Sequence, residues 1–176
     1  MKINRDYFIN NGIEVIINDM KTGEILFSRN YSICNALVFS DGKTTALAHI
    51  SKATTPEMLM SGYVSNLLVE NPKEDKRYVK KISEIFEDPD KIIAYHIHRN
   101  DGCWSDSQIR KELINKNIKD NNIYSFQIKN NSFRTRDIGV TMKNKRIYIF
   151  PRSYYYELEP IIMEINNYGR LKKIIS

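Results

Sequence analysis

One tryptophan, two cysteines, five prolines and seven glycines are all that 176 residues carry of the types that staple or punctuate a chain. Cys34 and Cys103 are too few for a disulfide framework, and a reducing compartment suits their free thiols. No apolar run reaches the roughly 18 residues that a membrane-spanning helix needs. The opening residues Met1-Lys2-Ile3-Asn4-Arg5-Asp6 hold no apolar signal core, so no Sec-type export is expected. Dense charge is missing too. The 27 Lys+Arg against 21 Asp+Glu leave +6, scattered as pairs such as Lys80-Lys81, Lys145-Arg146 and Lys172-Lys173. That reads as solvated surface, with neither nucleic acid nor a membrane expected as partner, although a basic face is able to steer an acidic protein. Repeats, low-complexity tracts and linkers are also absent. At 41% hydrophobic and 27% charged residues, the chain reads as one ordinary globular domain over 1–176.

What is present is a single Asp-Gly between two apolar, β-prone runs, Ile33 to Ser40 and Lys43 to Ile50. Asp-Gly in that setting predicts a two-residue type I′ hairpin, because both central residues need positive φ. Ser40 then pairs with Lys43, and Cys34 falls opposite His49 on one face. Their Cβ atoms would lie roughly 4.5–5.5 Å apart, within reach for a nucleophile and its base. A bulge would send the two to opposite faces. Both hairpin faces are apolar, as expected of strands buried between two layers.

Further strands are predicted at 13–18 and 24–28, with Lys21-Thr22-Gly23 as a turn. Thr55-Pro56-Glu57 has the form of a helix start, and the stripe Leu59/Met60, Tyr63/Val64, Leu67/Leu68 carries that helix to Asn71-Pro72. A second helix is predicted over 74–86 and a strand over 91–97. Ser105-Asp106-Ser107-Gln108 has capping-box spacing for a helix to about 117, its inward residues being Ile109, Leu113 and Ile114. Strands follow at 123–128, 136–142 and 146–150. The C-terminal tail, 151–176, is predicted to hold a closing helix from about 154 to 168, with Ile161, Ile162 and Ile165, that stops at Gly169.

Ser28-x5-Cys34, the hairpin, and His49 within Thr45-Ala46-Leu47-Ala48-His49-Ile50 resemble the chemoreceptor glutamine deamidase family CheD. There a Thr, a Cys and an Ala-His strand occur in this order. The later succession of helix, strand, helix and terminal hairpin (Arg136 to Phe150) fits as well, so the likeness covers residues 12–150. Similar pieces occur in protein N-terminal asparagine amidohydrolases, and the Cys-to-His arrangement is similar to that of the cytotoxic necrotizing factor toxins. Two departures stand out: Asn30-Tyr31-Ser32-Ile33 replaces the Gly-x-Gly-Ser usual before the cysteine, and Ser28 replaces the threonine. The resemblance implies an α+β fold, a three-layer α/β/β sandwich of mostly antiparallel mixed sheets with helices packed on one side. It also implies a protein substrate carrying a target glutamine, in the cytoplasm or, for an injected effector, a host cytosol. Ser28 would orient His49 or the substrate.

The chemistry expected is attack of Cys34 on a carboxamide carbon. His49 would take the thiol proton, protonate the departing ammonia and activate water against the thioester. A facing imidazole is expected to lower the thiol pKa and form a thiolate–imidazolium pair. Hydrolysis of N-terminal asparagine, transamidation, and a silent binding module of the same fold are the alternatives. No cofactor is expected. His96 and His98 share a strand face with Cys103 nearby, which suits zinc in ligand type but lacks a fourth ligand, so no metal is expected. Trp104 reads as core packing, with an exposed substrate contact as the alternative, and the Tyr154-Tyr155-Tyr156 cluster as ordinary packing or a partner surface.

Overall fold

A computed structural model describes residues 3–51, 55–60, 62–65, 76–78, 80–99, 103–128, 135–142, 144–152, 158–166 and 170–174. The chain begins with α1 (Arg5–Asn11), β1 (Ile13–Glu14), β2 (Asp19–Thr22) and β3 (Ile25–Tyr31). The hairpin strands β4 (Asn35–Ser40) and β5 (Thr45–Ile50) come next, then α2 (Pro56–Met60), β6 (Tyr63–Ser65), β7 (Lys76–Tyr78) and α3 (Ile82–Ile85). The remainder comprises β8 (Ile93–Arg99), α4 (Asp106–Asn115), β9 (Ile123–Ile128), β10 (Thr135–Thr141), β11 (Arg146–Arg152), β12 (Ile161–Ile165) and β13 (Leu171–Ile174). The fold is α+β with two mixed sheets, ordered β1-β3-β10-β11-β12-β13 and β2-β5-β4-β8-β9. Among the described residues, only the β1–β3 and β8–β9 ladders are parallel.

Period-two alternation along the hairpin builds the layers. Leu37, Phe39, Ala46, Ala48 and Ile50 face Leu59, Met60, Ile82, Ile109 and Leu113 from the helices. Ala36, Val38 and Leu47 point the other way, onto Leu26, Ile138, Val140, Ile147 and Ile149 of the six-stranded sheet. Helices, sheet and sheet thus stack as expected, with one addition. Phe8 of α1 packs on Phe27, Tyr148 and Phe150, so a helix also covers part of the outer face of the six-stranded sheet.

Several elements differ from expectation. Lys21 and Thr22 belong to β2, hydrogen-bonded beside β5, rather than to a turn. Thr55 does cap α2, its hydroxyl accepting from Met58 N–H at 3.1 Å. That helix nevertheless stops at Met60, because Gly62 at φ 83° returns its N–H to the Leu59 carbonyl in a left-handed cap. The predicted helix over 74–86 resolves into β7 and the short α3, while Leu67/Leu68 lie outside the described residues. Ile114 of α4 is 44% exposed, whereas Ile109 and Leu113 are buried. The closing helix is replaced by β12 and β13, which extend the sheet from β11. Ile161-Ile162-Met163-Glu164-Ile165 is rich in β-branched residues and buries Met163 and Ile165, two apart. Gly169 lies outside the described residues. Among the described residues, no helix is long and apolar enough to cross a membrane.

One irregularity positions everything that follows. β3 pairs with β10 at Ser28↔Ile138 and at Tyr31↔Arg136, three steps on one strand against two on the other. The extra residue is a bulge, and Asn30 occupies the left-handed region at φ 65°, which Asn tolerates better than most residues. The Asn30 N–H donates to buried Asp137 at 2.9 Å, and Asp137 is also paired with Arg5 at 2.5 Å. Because of the added residue, Ser28 and Tyr31 are both buried while Arg29 and Asn30 between them are exposed.

Gly139 lies beneath Phe8, and a Cβ there would come within 2.8 Å of three ring atoms. Gly139→Ala should therefore destabilise the fold by about 1–3 kcal/mol through overpacking. Urea unfolding is the measurement, and an unchanged midpoint would contradict this packing.

Candidate active site

The hairpin closes with a longer turn than Asp-Gly alone predicts. Ser40 pairs with Thr45, leaving residues 41–44 as the loop. The Asp41 carboxylate accepts from the backbone N–H of Lys43 at 2.9 Å and of Thr44 at 2.7 Å, an Asx turn. Gly42 has φ 89° whereas Asp41 is not in the positive-φ region, so the type I′ requirement is unmet. His49 consequently lies opposite Ala36 rather than Cys34. Cys34, one residue ahead of β4, stands diagonal to it. A slip of two residues keeps each side chain on its face, and Cys34 sits with Ala36, Val38 and Leu47 in the core between the sheets. Diagonal neighbours have Cβ atoms roughly 7–8 Å apart. The sulfur and the imidazole therefore share a face without a direct hydrogen bond.

His49 is held from three sides. Its ring stacks on Tyr31 at 3.7 Å between centroids. Its carbonyl accepts from Asn18 N–H at 2.7 Å. Its Nδ1 lies 3.0 Å from the Ser28 hydroxyl on the opposite sheet. The Ser28 hydroxyl has one proton, and that proton goes to the Val15 carbonyl. Ser28 must then accept from His49 Nδ1–H. The lone pair is left on Nε2, which is buried and has no partner among the described residues. An orienting group on one nitrogen and a free lone pair on the other is the arrangement a general base requires.

The electrostatics set a neutral resting state. Burial, with help from the Arg136 guanidinium, pushes His49 down to about 3. Burial also pushes the Cys34 thiol up, against the opposing pull of Arg136 and of backbone hydrogen bonds from Cys34 and Ser32. The thiolate–imidazolium pair expected from the sequence is thus not the resting form. For any nucleophilic role of Cys34, proton transfer from thiol to imidazole would have to accompany attack rather than precede it. Access is narrow: Cys34 is 7% exposed and His49 2%.

His96, His98, Cys103 and Trp104 belong to a second polar cluster, on the helix-facing side of β4. His96, His98 and Asp106 offer ligand atoms within 4.8 Å of one another, so the third member is the aspartate at the start of α4 rather than Cys103. Hydrogen bonds already define this set. Asn35 Nδ2 donates to the Trp104 carbonyl at 2.8 Å, so its other N–H faces His96 Nε2 at 2.6 Å. Nε2 is therefore the acceptor, and His96 Nδ1–H donates to Asp106 at 2.9 Å. A metal on Nδ1 would force an N–H onto Nε2, against the Asn35 amide. The set fits a metal poorly and works as a clamp. His98 stacks on His96 at 4.5 Å and meets Ser125 Oγ at 2.9 Å. The Cys103 thiol donates to Asn35 Oδ1 at 3.3 Å, and burial pushes its pKa up to about 11, which makes it a poor nucleophile. Trp104 packs at the edge of the helix-side core and donates from Nε1 to the Ser51 carbonyl at 3.1 Å. Tyr154-Tyr155-Tyr156 lie outside the described residues.

Sequence reasoning had no hold on Tyr31 or Arg136. Tyr31 reaches the site only because of the bulge. Arg136 is 0% exposed yet stands second in β10 between polar residues, a setting that reads as surface. Comparison with protein-family models and with curated proteins gives no match for this chain.

His49 has a folded-state pKa below its unfolded value, so the unfolded chain takes up a proton that the folded chain refuses. Its contribution is constant above pH 6.5 and is lost as pH falls from 6.5 towards about 3, at about 1.4 kcal/mol per pH unit. His49→Gln should therefore show a stability–pH slope shallower by about one proton over that window, measured by urea unfolding at several pH values. Equal slopes would contradict a buried neutral His49.

Proposed function

We propose that the protein is a cysteine amidohydrolase that deamidates a glutamine side chain on a partner protein in a cytosol, its own or a host's. Cys34 Sγ attacks the carboxamide carbon while His49 Nε2 takes the thiol proton. The same nitrogen delivers that proton to the amide nitrogen, the C–N bond breaks, and ammonia leaves behind an acyl-thioester. Water then attacks the thioester with its proton passing to Nε2, and collapse returns the thiol and a glutamate carboxylate. Ser28 keeps Nδ1 protonated throughout, so the working nitrogen is always Nε2. Breaking the amide C–N bond requires a protonated leaving group, and a neutral imidazole able to accept and return one proton meets that need.

The observation that carries this reading is the Ser28–His49 hydrogen bond, which leaves Nε2 free on the face where Cys34 sits. The family resemblance adds the choice of a side-chain amide and of glutamine. A rival reading, a silent binding module of the same fold, draws on the 7% exposure of Cys34 and its raised pKa. Reactivity separates the two.

Dilute iodoacetamide near neutral pH should label Cys34 ahead of Cys103, and His49→Ala should slow Cys34 labelling. Ammonia release from a panel of glutamine-bearing peptides and proteins should vanish in Cys34→Ser and fall by about 10²–10⁴-fold in His49→Ala. Intact-mass analysis should find a gain of about one mass unit on the target, as NH₂ is replaced by OH. Labelling of Cys34 no faster than of Cys103, or ammonia release that survives Cys34→Ser, would overturn the proposal.

A further inference from the structure

The peptide segment that carries Cys34 crosses from the end of β3 to the start of β4, and three successive carbonyls in it are tied down. Arg136 donates from Nη1 to the Ser32 carbonyl at 3.2 Å and from Nη2 to the Cys34 carbonyl at 3.0 Å. Between those two anchors, the Ile33 carbonyl accepts from Cys103 N–H at 2.8 Å. In a trans peptide the N–H points opposite to the carbonyl of the same unit. Holding the Ile33 carbonyl toward the Cys103 segment therefore turns the Cys34 N–H the other way, and the Arg136 fork fixes the peptide units on either side. Against burial, the Arg136 guanidinium and the backbone of Cys34 and of Ser32 each pull the Cys34 thiol down. A backbone N–H held beside a developing charge is the element from which an anion-binding nest is made.

We propose that Arg136 is a positioning residue for Cys34. By bridging the Ser32 and Cys34 carbonyls, it fixes the peptide units on either side of the Ile33–Cys34 unit and so holds the Cys34 N–H as the donor of a nest for negative charge that develops next to the sulfur. This rests on reading Cys34 as a nucleophile and identifies what stabilises the oxyanion formed on attack. Several features support it beyond the two hydrogen bonds. Arg136 is fully buried. Its partner across the β3 ladder is Tyr31, whose ring centre lies 6.0 Å from the guanidinium carbon, and Tyr31 in turn stacks on His49. One side chain therefore touches the nucleophile segment and the ring that supports the base. The Gly-x-Gly-Ser that the resembling family carries before its cysteine is absent here. A planar fork spanning two carbonyls gives this segment its shape without glycine, and lysine, a point donor on a flexible stem, cannot replace it.

The test needs no knowledge of the substrate. Alkylation of Cys34 forms an S–C bond, expels iodide and gives up the thiol proton, whether the reagent is neutral iodoacetamide or anionic iodoacetate. A nest for negative charge favours the anion, so the ratio of the two second-order rates (iodoacetate over iodoacetamide) reports on it. In Arg136→Met the ratio should fall about tenfold, the effect of losing one charge-assisted contact. In Arg136→Lys, which retains the charge without the fork, it should fall severalfold while the pH midpoint of alkylation stays at the wild-type value. A wild-type ratio in a folded Arg136→Met protein would overturn the proposal. Should the methionine variant fail to fold, a wild-type ratio in Arg136→Lys would do the same. A ratio that responds as expected, in a protein that releases no ammonia from any amide, would sustain the nest while removing the hydrolase reading.

Discussion

A hydrogen bond that crosses an apolar core from one sheet to the other, Ser28 to His49, is the contact on which this structure's chemistry depends. Burying an imidazole against Tyr31 penalises its charged form, and the protein accepts this by keeping it neutral. The serine proton is committed to Val15, so the histidine proton is committed to the serine. Val15 is itself fixed by its N–H on the Phe27 carbonyl, and Asn18, three residues on, holds the backbone of His49. The short segment between β1 and β2 thereby binds the two sheets together at the end where the site lies. A substitution at Val15 or Asn18 that shifts this segment acts on the tautomer of His49 without touching its ring.

The chain passes between the same two sheets again at Tyr31 to Asn35, and this second crossing carries the cysteine. Its shape depends on groups distant in sequence. Arg136 supports it from the six-stranded sheet, and the clamp of Asn35, His96, Asp106 and the Cys103–Trp104 backbone supports it from the helix side. Asp106 is held low, to about 2, first by its bond to His96, so the clamp has a fixed carboxylate at one end. The Cys34 segment thus sits between two polar networks, one built on buried Arg136 and the other on buried Asn35 and His96. Such networks are costly to assemble and define a unique geometry once satisfied. That suits a segment whose successive carbonyls are each tied to a partner distant in sequence.

Layering was legible in the sequence because alternation over residues 35–40 and 45–50 fixes which side chains face which layer regardless of how the turn closes. Register was not. The Asp41 side chain competes for the turn's own N–H groups and selects a four-residue loop, moving His49 from opposite Cys34 to opposite Ala36. The shared face survived because the slip was of two residues; a slip of one would have separated thiol and imidazole. The tail was misread because Ile161, Ile162 and Ile165 match a helical stripe as well as a strand, and only the exposed edge of β11 decides between them. Ser28 was found through family likeness rather than spacing. Arg136 left no trace, since nothing in Thr135-Arg136-Asp137 distinguishes a buried guanidinium from a solvated one.

The central claim is the proton arrangement at His49, and nitrogen-15 NMR of the imidazole reads it directly. The account predicts a neutral ring with the proton on Nδ1 and none on Nε2, unchanged from about pH 5 to about pH 8. A proton resident on Nε2, or a ring that titrates near its ordinary value, would contradict it.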